Sequence, residues 1–325
     1  MKTASVPKYR SMFEPIADDL AEADRILDEA LAGYSDGLAP LTEYLRHYRG
    51  TRLRPALLLL TAKACGSVTP AHHTLAAVVE MIHTATLVHD DILDGATTRR
   101  HVRTVNAGWN NHVAVLLGDM LFTHSFALTS TVDVRACRAI GETTNRVCAG
   151  ELRQVAESGN LHLSEADYFE LIDGKTAALT ECCCRLGALY AGASDELVEK
   201  MASYGRNLGL AFQIADDVMD LIGDEGKAGK TLGTDAAQQK LTLPVIHCLG
   251  KLPTREAQEL RTEFSTPRAA EAIAQAIAKT GSLAHARYRA EECAKAAIAE
   301  LDELLPSPAK SLLLRLPEWA VQREQ

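Results

Sequence analysis

Apolar residues between Leu75 and Leu93 recur every three or four positions, at Leu75, Val78, Val79, Ile82, Ala85, Val88, Ile92 and Leu93. That spacing predicts an amphipathic helix, because 3.6 residues per turn brings such positions onto one stripe. A second run of the same kind passes through Met201, Tyr204, Leu208, Ala211, Phe212, Ala215, Val218 and Met219. Both predicted helices end in acid. The first carries His89-Asp90-Asp91-Ile92-Leu93-Asp94 and the second Ala215-Asp216-Asp217-Val218-Met219-Asp220: two adjacent aspartates, then a third three residues on. Each then runs into a polar, turn-rich stretch, residues 95–104 and residues 223–235, and both stretches are candidate lids. Breaks near 265–267 and 305–310 separate further helices, with no linker long enough to divide the chain into independent domains.

Side chains four apart on a helix share a face, so Asp90 stacks over Asp94 and Asp216 over Asp220. Two carboxylates brought together repel unless a cation lies between them. Mg²⁺ takes oxygen ligands and binds through one or two carboxylates while phosphate and water fill its other positions. A lone cluster of this kind reads equally well as a solvated helix end. Its duplication, with cations after each copy, points to metal-bound diphosphate. Arg99 and Arg100 follow the first cluster, Lys230 and Lys240 the second, and the stretch 49–55 adds Arg49, Arg52 and Arg54. The guanidinium fork matches phosphate oxygens in a way that an ordinary solvated charge does not need.

Composition narrows the class. The 325 residues are 47% hydrophobic and 24% charged, enough to bury a substantial core. Aromatics make up only 5%, while Ala, Leu, Glu and Arg abound, and these lose little side-chain freedom in a helix, so the chain is expected to be all-α. A net charge of -9 argues against a nucleic-acid partner, which needs a basic face. The eight cysteines form no CxxC pair, and Cys182, Cys183 and Cys184 stand together in an apolar segment, which reads as core packing in a reducing cytosol. The N-terminal stretch lacks the apolar core of a signal peptide, and apolar runs such as residues 55–62 are too short to span a bilayer. A soluble, cytoplasmic protein with no transmembrane segment is expected.

At these residues the chain resembles the trans-isoprenyl diphosphate synthases of the polyprenyl synthetase family, most of all its long-chain members. The motifs "HDDILD", "KTAAL" (175–179), "FQIADDVMD", "GKTLGTD" (229–235) and "KLTLP" (240–244) fall in the family's order, between about Tyr44 and Pro244 and more weakly beyond. The resemblance implies a single-domain isoprenoid-synthase helical bundle around a deep central cavity, formed by residues 1–325 with 1–14 frayed. It implies that Asp90, Asp94 and Asp216 ligate Mg²⁺, about three ions per active site, with Asp91, Asp217 and Asp220 in support. Arg99, Lys175, Gln213 and Lys230 would hold the allylic diphosphate. Arg54, His83 and Arg100 would hold isopentenyl diphosphate, and Thr176 and Lys240 would lie near the allylic substrate. One departure stands out: the family usually has Lys where this chain has Thr51, so a cation for isopentenyl diphosphate is missing unless Arg49 or Arg52 replaces it. His101 and Arg103 also stand where the family often has Gly and Pro.

The implied reaction needs no protein nucleophile, which fits the absence of any Ser-His-Asp or Cys-His constellation. Diphosphate leaves once its charge is neutralised, with Lys175 and Lys230 assisting, and the double bond of isopentenyl diphosphate attacks the allylic cation. Product length follows from what the growing tail meets. One turn before Asp90 stand Ala85 and Thr86, both small, where short-chain members carry an aromatic; Met81 and Val78 lie deeper. The expected product is therefore long, roughly six to ten isoprene units. A homodimer is expected. The alternatives are a synthase of farnesyl or geranylgeranyl length, a weakly active subunit of a heteromeric synthase and, with less support, a terpene cyclase.

Overall fold

The computed structural model describes residues 13–32, 39–48, 50–222, 240–264, 266 and 269–322. Helices dominate: α1 (Ala17–Ala32), α2 (Leu53–Cys65), α3 (Pro70–Leu93), α4 (Asn111–Ser130), α5 (Val134–Ala156), α6 (Glu165–Ile172), α7 (Ala178–Tyr190), α8 (Asp195–Ile222), α9 (Leu243–Lys251), α10 (Thr254–Glu263), α11 (Ala269–Thr280), α12 (Ser282–Ala299) and α13 (Pro308–Val321). The all-α expectation holds. The only strands among the described residues are β1 (Thr98–Arg99) and β2 (Val102–Arg103). The chain divides into two compact units, one made of Met1–Glu142, Leu179–Ala202 and Leu301–Leu314, the other of Thr143–Ala178, Ser203–Glu300 and Arg315–Gln325.

In the first unit α3 is the central element and packs against α1, α2 and α4. It begins at Pro70, ahead of the Leu75 from which the spacing predicts a helix, because Pro70 occupies the first turn and the Thr69 amide donates to His72 Nδ1 at 2.9 Å. That bond leaves the His72 proton on Nε2, which donates to the Gly187 carbonyl at 3.1 Å. Leu57, Leu58, Leu59 and Leu60 of α2 are wholly buried, each contributing about 2 kcal/mol relative to exposure. Leu27, Leu31, Leu45, Tyr48, Met81, Ala85, Val88, Leu117 and Leu121 form a continuous core. Gly118 of α4 is needed for this packing, since a Cβ there would run into the His89 ring. The three consecutive cysteines are buried as expected, and burial pushes the Cys184 thiol up to about 12.

α4, at 20 residues, is long and apolar enough to cross a membrane by length and composition alone. Ala114, Leu117 and Leu121 are buried in the unit's core, while Val115, Leu116 and Phe126 are exposed.

In the second unit α9 packs against α6, α11 and α12. Tyr168, Ile172, Ile214, Leu243, Ile246, Phe264, Ile273 and Ile277 form its core. Between α6 and α7 the chain winds through a π-turn, Asp173–Ala177, which contains Lys175 and Thr176. π-turns cost hydrogen-bond quality and recur at functional positions.

Candidate active site

The first aspartate helix ends in a Schellman motif. The Ala96 amide donates to the Asp91 carbonyl at 2.9 Å and the Gly95 amide to the Ile92 carbonyl at 3.2 Å, with Gly95 at φ 62°. The stop is local: Gly95 adopts the left-handed geometry without a Cβ penalty. It leaves Asp94 exposed and Asp90 half-buried, one turn apart, with the Asp94 amide bonded to the Asp90 carbonyl at 2.8 Å. Asp91 is a different kind of residue. It is 0% exposed; its Oδ2 accepts from the Tyr48 hydroxyl at 2.9 Å, and its Oδ1 accepts from Arg99 Nε and lies 2.8 Å from Arg99 Nη2. Both oxygens of Asp91 are thus held by protein side chains.

The candidate lid 95–104 holds a two-stranded hairpin, with Thr98 opposite Arg103 and Arg99 opposite Val102. Its tip residues Arg100 (φ 51°) and His101 (φ 64°) both lie in the left-handed region. A two-residue hairpin turn of this hand favours Asn-Gly, so holding Arg and His there costs about 1 kcal/mol each. From the tip Arg100 reaches back to the segment before α2. Its Nη1 donates to the Tyr48 carbonyl, and its guanidinium lies so close to Gly50 that a Cβ there would collide with it.

Arg54 Nη1 is 3.0 Å from His83 Nε2; arginine has no acceptor, so Nε2 accepts and the proton sits on Nδ1. Burial first, then the charges of Arg54, Arg100, Arg99 and Arg52, hold His83 well below its ordinary value, so the imidazole is neutral. Burial likewise lowers the pKa of Arg54, and that of Arg100 by burial and then Arg99. Guanidiniums gathered round one neutral histidine make a site that calls for an anion.

Thr51 is exposed, and Arg52 does not stand in for the missing lysine: its Nη1 donates to Glu80 at 2.7 Å and its Nη2 lies 2.7 Å from Asp24 Oδ1. It ties α1 to α3, which corrects its assignment to substrate binding. Arg49 and Lys230 lie outside the described residues, as does the second candidate lid.

In the second unit α8 carries Asp216, half-buried, with Asp217 and Asp220 buried on the same terminal stretch. Asp217, 7% exposed, accepts from the Tyr168 hydroxyl at 2.6 Å and from Gln213 Nε2 at 2.7 Å, so its oxygens too are held by protein side chains. Gln213 Oε1 in turn accepts from Thr176 at 2.6 Å. Lys175 Nζ is 3.1 Å from Glu151. The π-turn bearing Lys175 fits against α5 only because Gly150 and Gly174 both lack side chains; a Cβ on Gly150 would lie 2.5 Å from the Lys175 amide nitrogen. Lys240 is half-buried just before α9.

Of the residues proposed to set chain length, Ala85 and Met81 are fully buried within the first unit's core, and Met81 borders a small void with Leu27, Leu31, Thr84 and Leu121. Thr86 alone is accessible, on the same face as His83 and Asp90. Sequence reasoning missed Tyr48, Tyr168, Glu80 and Glu151. Glu80 could have been found, as a carboxylate inside an apolar helical stripe; the tyrosines carried no such signal.

Among the described residues no three His, Cys, Asp or Glu side chains form a ready-made metal cage. A pair of carboxylates one turn apart, one exposed and one half-buried, suits a hard divalent cation whose remaining ligands come from a phosphate-bearing substrate.

These features define a class, the all-α isoprenyl synthases. The structure superposes with a TM-score of 0.90 on the crystal structure of polyprenyl synthase from Caulobacter crescentus CB15 complexed with calcium and isoprenyl diphosphate, at 31% identity and covering 100% of each chain. The polyprenyl synthetase profile matches residues 36–280, and the chain belongs to that family. It is 35% identical to octaprenyl diphosphate synthase of Escherichia coli K12, over 96% of this chain and 98% of the relative. It is 38% identical to geranylgeranyl diphosphate synthase of Mycobacterium tuberculosis, over 85% of this chain and 80% of the relative. The enzyme class expected from the motifs, a prenyl diphosphate synthase, is the class of this family.

Proposed function

We propose that the protein is a Mg²⁺-dependent prenyltransferase that joins isopentenyl diphosphate to an allylic diphosphate in successive head-to-tail steps, giving a long all-trans polyprenyl diphosphate. The observation that carries this reading is the accessible Asp90–Asp94 pair beside the guanidinium cluster of Arg54, Arg99 and Arg100 around neutral His83. Asp90, Asp94 and Asp216 would hold Mg²⁺, with Asp220 in support; calcium in the Caulobacter relative favours a divalent site. Bound Mg²⁺ would neutralise diphosphate charge and so make it a better leaving group.

The chain's own residues do the rest. Lys175, Thr176 and Gln213, with Arg99, Lys230 and Lys240, orient the allylic diphosphate and stabilise the charge that builds on it as the C–O bond breaks. Arg54, Arg100 and His83 hold isopentenyl diphosphate so that its double bond faces the allylic carbon. A new C–C bond forms, diphosphate departs, and the proton lost from the adduct goes to that diphosphate, so no side chain need act as base.

Thr86, small and accessible one turn before Asp90, leaves a growing tail unobstructed there, and the octaprenyl relative agrees with a long product. A geranylgeranyl-length product is the second reading, favoured by the Mycobacterium relative. The proposal includes a single catalytic domain, a cytoplasmic setting and a homodimer. Val115, Leu116 and Phe126 of α4, with Leu93, Trp109 and Val134, offer the apolar surface that a second copy would cover. The test is purified protein given isopentenyl diphosphate, Mg²⁺ and a geranyl, farnesyl or geranylgeranyl primer, with dephosphorylated products read by mass spectrometry. Elongation to a long product is expected; no elongation from any primer would refute the reading.

A further inference from the structure

Both aspartate clusters share a feature that the motif does not show. In each, the second aspartate of the adjacent pair is buried and takes a hydrogen bond from a buried tyrosine: Tyr48 to Asp91 at 2.9 Å and Tyr168 to Asp217 at 2.6 Å. The tyrosines come from distant parts of the chain, 43 and 49 residues away. Each carboxylate's other oxygen accepts from a side chain assigned to diphosphate binding, Arg99 for Asp91 and Gln213 for Asp217.

Tyr48 reaches further. Its hydroxyl also accepts from the Val105 amide at 2.8 Å, just after the hairpin, and its carbonyl accepts from Arg100. One residue thus ties together the end of α3, the tip of the hairpin at Arg100 and the segment just after the hairpin, and through Asp91 it reaches Arg99. In the second unit the chain of bonds runs Tyr168, Asp217, Gln213, Thr176, and ends in the π-turn beside Lys175.

We infer that Tyr48 and Tyr168 are positioning residues, each holding the second aspartate of its motif as a buried carboxylate that is not a metal ligand and that orients a diphosphate-binding side chain. Adjacent residues on a helix point about 100° apart. Fixing Asp91 and Asp217 inward therefore fixes Asp90 and Asp216 outward. A carboxylate buried beside its neighbour also keeps that neighbour's rotation from averaging, in the way outer hydrogen-bond partners orient ligands at metal sites.

The inference rests on the prenyltransferase reading, and the test separates the two. Mg²⁺ is titrated calorimetrically into the full-length protein with inorganic diphosphate, for the natural chain and for Tyr48→Phe and Tyr168→Phe, at a temperature where circular dichroism shows equal helix content. Each Phe variant is expected to need about tenfold more Mg²⁺ for half-saturation. In steady state each should raise KM for the allylic substrate more than it lowers kcat. A purely structural role would lower the unfolding midpoint and leave both the titration and KM in place, and that result overturns the inference. Should a Phe variant fail to fold, Asp91→Asn and Asp217→Asn carry the test through Mn²⁺ stoichiometry. An unchanged number of ions per chain is expected, and a lost ion makes the aspartate a ligand and overturns it. If the natural chain itself binds no metal with diphosphate, the prenyltransferase reading falls, and the inference with it.

Discussion

Replacing Gly150 by alanine should separate stability from catalysis. The added Cβ would lie 2.5 Å from the Lys175 amide nitrogen, 2.9 Å from the Gly174 carbonyl carbon and 3.1 Å from Lys175 Cα, all backbone atoms that cannot rotate aside. Ordinary contacts of this kind sit near 3.5 Å, so α5 and the π-turn must separate by about 1 Å. Overpacking of that sort costs roughly 1–3 kcal/mol, while alanine in a helix interior recovers about 1 kcal/mol over glycine. The expected net loss is therefore small, about 0–2 kcal/mol. Its functional consequence is larger, because a displacement of about 1 Å in a positioning group can cost roughly 100-fold in rate. Lys175 and Thr176 would be the groups displaced. The control is Gly141→Ala on the same helix, where a Cβ meets nothing within 4 Å; it should stabilise by about 1 kcal/mol and leave turnover alone. Urea unfolding and kcat/KM measured on all three proteins decide the matter. A Gly150→Ala enzyme with the natural kcat/KM would refute the reasoning, since it would mean that the π-turn does not set the position of Lys175.

Asp90→Ala and Asp216→Ala should each lower turnover by orders of magnitude with helix content intact, measured by product formation and circular dichroism, because they remove accessible carboxylates rather than packing atoms. Thr51→Lys should lower KM for isopentenyl diphosphate and leave the allylic KM nearly unchanged; the gain is at most about 1.5–3 kcal/mol, one charge-assisted contact, and Arg52 is already committed to Glu80 and Asp24. Thr86→Phe should shorten the product seen by mass spectrometry while the enzyme stays stable, whereas Ala85→Phe should lower stability to urea by about 1–3 kcal/mol, since Ala85 is wholly buried. His72 and His83 both titrate below the ordinary 6.5, so the unfolded chain binds more protons than the folded one as pH falls past that value. Stability should be fully present above pH 6.5 and fall below it, by up to about 1.4 kcal/mol per pH unit per histidine, and His83→Asn should flatten the slope.

The three-to-four residue spacing alone was enough to place α3 and α8 and to put an aspartate cluster at the end of each, because helical periodicity is a local property. The polar, turn-rich stretch from residue 95 marked the stop of α3 for the same reason, since the left-handed geometry of Gly95 depends on its own missing Cβ. The family order of "HDDILD", "KTAAL" and "FQIADDVMD" was likewise legible in the chain alone. What lay beyond reach was which carboxylates open outward. Asp90 and Asp91 are identical in type and adjacent in sequence; Asp91 is buried because Tyr48 and Arg99 meet it there, and only the folding of distant segments brings Tyr48 to that spot. Arg52 and Arg54 read alike in the chain, yet one is neutralised by Glu80 and Asp24 while the other donates to His83. The residues 95–104 read as a lid but contain a hairpin, with Arg100 and His101 held at positive φ. A buried charge needs its partner and a strained turn needs its packing, and both are supplied by residues far away in sequence, so tertiary structure alone decided them.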